Sequence, residues 1–103
     1  MARRIYVLMT CDEWKSKSSM RFYAACTSPT KLRTLISRGI EKDFFSYNDE
    51  SRSFKEQAKN FRSDWAKTVN DAYPNYPMDE LLGLCGRVKY VHITVAEDGV
   101  VEV

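Results

Sequence analysis

Cys11, Asp12 and Glu13 follow one another after an apolar run, and His92, the chain's one histidine, sits inside another. A thiol beside an imidazole is the beginning of nucleophilic catalysis, in which the ring takes the proton and the thiolate attacks. Two carboxyls facing one substrate are the beginning of acid–base catalysis. The spacing assembles neither. Asp12 and Glu13 are adjacent, so in extended chain they point apart. Cys11 and His92 can meet only through the fold, and a free cysteine often serves simply as a small buried hydrophobe. Cys11, Cys26, Cys85 and His92 lack the short ligand spacing of a structural zinc site. The four glycines fall in no phosphate-binding pattern, neither GxGxxG nor GxxxxGK. These residues assign no catalytic group, no metal site and no cofactor; a small hydrolase built on Cys11 or His92 is the remote alternative.

Recognition chemistry is denser. Residues 10–27, TCDEWKSKSSMRFYAACT, place Asp12, Glu13, Trp14, Lys15, Ser16, Lys17, Ser18, Ser19 and Arg21 between two apolar runs. Trp14 can stack on a base or wedge into a pocket of a protein partner. Lys15, Lys17 and Arg21 can pair with phosphates or carboxylates, Arg21 with two bonds at once. The serine hydroxyls can donate to the same oxygens. The competing reading is a solvated loop with Trp14 folded back on the core. Tyr47, Tyr73 and Tyr76, near FFSYNDE and YPNYP, are a second candidate rim, for which ordinary loop packing is the stronger reading.

The elements that must position these residues are legible as periodicities. Residues 4–10, RIYVLMT, alternate with both sides largely apolar, as expected of an interior strand. Residues 20–27, MRFYAACT, repeat the alternation, with Met20, Phe22, Ala24 and Cys26 expected on one side. Ser28 and Pro29 are a helix start, Leu32, Leu35, Ile36 and Ile40 its apolar stripe, and Gly39 its expected end. Ser53 and Glu56 fit a capping box before a helix whose stripe is Phe54, Ala58, Phe61, Trp65 and Val69. YPNYP breaks that helix, and MDELLGLCG is a short one closed by Gly86. RVKYVHITV then reads as one strand, turned by Asp98-Gly99 into VVEV. Segment 41–50 fits either a core edge or an exposed patch. The order ββαα(α)ββ predicts a single α+β domain over residues 1–103, a four-stranded antiparallel sheet with helices packed on one face.

Composition narrows the classes further. A charged fraction of 29% against 44% hydrophobic is that of a folded domain rather than a disordered one. No apolar run approaches the roughly 20 residues of a membrane span. The N-terminal apolar run is about six residues, below the roughly 7–15 of a secretory signal. Three cysteines without a CxxC suit a reducing compartment, so a cytoplasmic protein is expected. Residues 1–38 hold eight Lys/Arg against two Asp/Glu, whereas residues 73–103 hold two against five. The basic first third favours an anionic partner. A sequence pI near 8.4, and the mixed charges of residues 53–72, argue against direct DNA binding.

The stretch IYVLMTCDEWKSKSSMR resembles the start of small proteins carried by bacterial phages and mobile elements, over about residues 5–36. The resemblance transfers no catalytic residue. It implies a context in which small non-enzymatic proteins block host-defence factors, as anti-CRISPR proteins do, by covering a protein surface or sequestering a signalling nucleotide. The expectation is therefore a cytoplasmic binding protein acting in the host cell. Its partner would be a host protein such as a CRISPR-type nuclease or, alternatively, an anionic nucleotide held by residues 11–21. Assembly into a homo-oligomer stays open.

Overall fold

The alternation of Arg4–Thr10 gives the first strand two apolar sides, and the fold treats them differently. The computed structural model describes residues 4–97. Its elements run β1 (Arg4–Thr10), β2 (Arg21–Cys26), α1 (Pro29–Glu41), β3 (Ser46–Tyr47), α2 (Phe54–Ala72), α3 (Met78–Gly86), β4 (Val88–Lys89) and β5 (Val91–Glu97). The α+β class is as expected. The expected four-stranded sheet is not what forms among the described residues. β1 is the centre of a three-stranded antiparallel sheet in the order β2-β1-β5, and β3 and β4 make a separate two-stranded ribbon.

The cause is Tyr90. Its φ of 73° cannot continue an extended ladder, so the stretch expected as one strand over residues 87–95 is split in two. Val88 and Lys89 pair with Tyr47 and Ser46, while Val91 onward pairs with β1. The Tyr90 carbonyl accepts the Cys11 N–H at 3.1 Å, which fixes the break against the end of β1. The expected hairpin at Asp98-Gly99 and its second strand lie outside the described residues.

Tyr6 and Leu8 point to the helices and are buried together with Cys26 and Val91. A bulge at Leu8/Met9 alters the expected pattern of β2. Ala24 pairs opposite Leu8 but Phe22 opposite Met9, so Phe22 lies on the opposite side of the sheet from Ala24 and Cys26.

α1 starts as expected, with the Ser28 hydroxyl accepting the Lys31 N–H and Pro29 in the first turn. Leu32, Ile36 and Ile40 are fully buried. Gly39 does not end the helix. It lies inside it, and a side chain there would collide with the ring of Phe45. The chain reverses at Asp43, φ 65°, with the Phe44 and Phe45 N–H groups donating to the Gly39 carbonyl. Segment 41–50 thus covers the core with Phe45 and Tyr47 and leaves Phe44 half out.

α2 has the expected Ser53 cap, accepting the Glu56 N–H at 3.2 Å, but the Glu56 carboxylate turns to Arg52 instead of completing the box. Ala58, Phe61 and Trp65 are buried, whereas Phe54 is 45% exposed, contrary to its place in the expected stripe. The first turn is packed by Gln57 instead. Its buried amide accepts the Tyr47 N–H and donates to the Arg52 carbonyl, which latches the preceding loop to the helix.

Candidate functional site

The loop between β1 and β2 is built by its own polar side chains. Asp12 is the organiser: one carboxylate oxygen accepts the Ser16 N–H at 3.0 Å and the other accepts the Ser16 hydroxyl at 2.7 Å. The Asp12 N–H donates to Ser19 Oγ, and the Ser19 hydroxyl donates to the Ser16 carbonyl at 2.8 Å. The Ser16 backbone bond, then its hydroxyl, hold the Asp12 carboxyl below its ordinary range. A turn closes from the Lys15 N–H to the Asp12 carbonyl, with Lys15 at φ 55°, and a single 3-10 turn spans Lys17–Ser19.

Two cations tie this loop down. Lys15 Nζ donates at 3.0 Å to the Gly86 carbonyl at the end of α3, where helix carbonyls lack partners and the dipole is negative. Arg21 Nη1 donates to the Met20 carbonyl at 2.9 Å and the Ser18 carbonyl at 3.3 Å. Asp12, Ser16 and Ser19 therefore serve as scaffold, and Lys15 and Arg21 as braces. Glu13, Trp14, Lys17 and Ser18 face solvent. Trp14 is 81% exposed; it does not fold back on the core.

The loop leaves the sheet beside a surface that the sequence reading missed. Ile5, Val7 and Met9 share the face opposite the helices with Phe22, Ala25, His92, Thr94 and Ala96. None of them is buried, and Phe22 is 68% exposed, so no second layer covers this face among the described residues. It carries neither acid nor base other than the imidazole. The signal was present in β1, whose sides are both largely apolar, although helices were expected on one face only.

The tyrosine rim does not assemble. Tyr47 is fully buried; its hydroxyl donates to Asp64 at 2.5 Å, and burial followed by that bond raises its pKa. Tyr73 and Tyr76 remain exposed.

The thiols are poorly suited to attack. Burial raises Cys11 and Cys26, and it pushes Cys85 up to about 12, so each is held as the neutral thiol near neutrality. His92 stands on the uncovered face opposite Met9. No group of three or more His, Cys, Asp or Glu side chains is placed to hold a metal among the described residues. No helix among them is long and apolar enough to cross a membrane.

The chain matches no protein-family model, no curated protein and no solved structure.

Proposed function

We propose that this chain is a non-enzymatic binding protein that captures a protein partner, with Trp14 as the anchor. The observation that carries the proposal is an 81% exposed tryptophan on a loop whose backbone is already fixed by Asp12, Ser16 and Ser19. Solvent exposure of so large an apolar side chain has no folding benefit. Holding it on an ordered loop lowers the entropy lost on binding. Tryptophan and arginine are the side chains that most often dominate binding energy. The uncharged sheet face at the same end, with Met9 and Phe22, favours a broad apolar partner.

A protein partner is favoured over a nucleotide because most of the anion-binding groups of the loop are already engaged, with Lys17 and Ser18 facing solvent. Lys15 is spent on Gly86, Arg21 on two carbonyls, and Ser16 and Ser19 on Asp12 and each other. The phage-borne character suggested by residues 5–36 directs the proposal to a host-defence factor, a CRISPR-type nuclease among them, in the bacterial cytoplasm. The test is native affinity purification from bacterial lysate, followed by mass spectrometry of the retained proteins and of heat-released small molecules. A stoichiometric protein supports the proposal. An ultraviolet-absorbing small molecule with no protein overturns it in favour of nucleotide sequestration.

A further inference from the structure

β2 is an edge strand, paired to β1 on one side and to nothing on the other among the described residues. The outer amides and carbonyls of such a strand are a template for another extended backbone. After the turn at Thr27 and Ser28, α1 runs back beside it. A groove of about 280 Å³ lies there, lined by Ala25, Cys26, Lys31, Thr34, Leu35 and Arg38. Cys26 and Leu35 contribute apolar surface; Lys31 and Arg38 carry the charge.

The helical residues are spaced 31, 34, 35 and 38, so they share one side of α1. Seven residues of helix separate Lys31 from Arg38 by about 10.5 Å along the axis, between the roughly 7 Å and 13 Å that separate same-side residues two and four apart in extended chain. Neither cation, nor Arg21 at the start of β2, lies within ion-pair distance of a carboxylate among the described residues. The sequence reinforces the bias: residues 14–40 contain six Lys/Arg and no Asp or Glu. Glu41, the first carboxylate after them, is engaged by Arg62 of α2 at 3.1 Å.

We propose that this groove binds an extended acidic segment of a protein, which pairs with the free edge of β2 and directs carboxylates toward Lys31 and Arg38. The unpaired ladder calls for a peptide backbone. The apolar lining accepts a small alternate side chain, and the two cations select for acid. Single-stranded nucleic acid fits less well because no aromatic side chain lines the groove for base stacking. The site is separate from Trp14, so the two surfaces can fail independently.

The test uses the full chain and a fluorescein-labelled peptide, Thr-Glu-Val-Asp-Val-Glu-Thr, read by anisotropy. Controls are a twin with lysine at each acidic position and an oligothymidine of similar charge. The acidic peptide is expected to saturate below about 1 mM, with slowed amide exchange in β2. Lys31→Glu with Arg38→Glu should weaken it at least about tenfold, and Lys31→Gln with Arg38→Gln should weaken it in the same direction while keeping the fold. Trp14→Ala should bind the peptide as the unmodified chain does. The proposal is overturned by no saturation, by equal binding of the lysine twin, or by oligothymidine competing for the same residues. It is equally overturned by protection at β5 instead of β2, or by loss of peptide binding in Trp14→Ala alone.

Discussion

Lys15 and Gly86 are 71 residues apart in sequence, yet the Lys15 ammonium donates at 3.0 Å to the Gly86 carbonyl, joining the β1–β2 loop to the end of α3. A flexible cation on an exposed loop is thereby turned into a brace, and the tryptophan beside it is held from a fixed base. Lys15→Met keeps the aliphatic stem and removes the donor. It should cost about 0.5–1 kcal/mol of stability, read by chemical denaturation, and should raise amide exchange through residues 12–19 while leaving the sheet amides unchanged.

Asp12 makes the loop sensitive to acid. Its folded carboxyl is held below the ordinary value chiefly by the Ser16 N–H. A depressed folded value means the contribution is fully present above the unfolded pKa, about 3.9, and is lost as pH falls through the lower folded value. Asp49, depressed by Ser51, shifts stability in the same direction. Protection of the Ser16 amide should therefore collapse below about pH 4. In Asp12→Asn that acid step should vanish, with weaker protection at neutral pH; an unchanged step would show that another group controls it.

The helix core separates two phenylalanines that sequence periodicity treats alike. Phe61 is fully buried, its ring 5.3 Å from that of Tyr47 and 5.9 Å from that of Trp65. Phe54 is 45% exposed. Phe61→Ala should cost about 3–5 kcal/mol, while Phe54→Ala should cost less than about 1 kcal/mol. Equilibrium unfolding of the two variants decides it, and similar losses would restore Phe54 to the core.

Gly39 is required by shape. Gly39→Ala places a methyl group into the buried Phe45 ring. The helix backbone itself would accept alanine, so the expected loss of about 1–3 kcal/mol is a packing effect. Combining it with Phe45→Leu should recover part of the loss in the same unfolding measurement.

What was legible in the sequence was local. Ser28 with Pro29, the Ser53 cap, and the Ala58–Phe61–Trp65 stripe depend on neighbours a few residues away, and the structure has them, although the Glu56 half of the expected capping box does not form. The alternation of β1 located the central strand. The rest depended on partners distant in sequence. Nothing around Tyr90 announces a positive φ, because its carbonyl is fixed by Cys11 across the sheet. The bulge that exposes Phe22 arises only when β2 registers against β1. Tyr47 is placed by Gln57 and Asp64, which no spacing rule connects to it. Within the loop, residue types indicated recognition but not roles. The same aspartate, serines and lysine that can contact a ligand are also the ones able to build the loop, and here they build it.

The most direct test of Trp14 as the anchor is quantitative affinity capture from bacterial lysate with wild-type and Trp14→Ala baits, run beside their melting curves. Loss of a hot-spot side chain should weaken capture by about 1–2 kcal/mol, roughly 5–30-fold, with the melting temperature unchanged because the side chain is outside the core. Equal recovery of the partner on both baits would contradict the account.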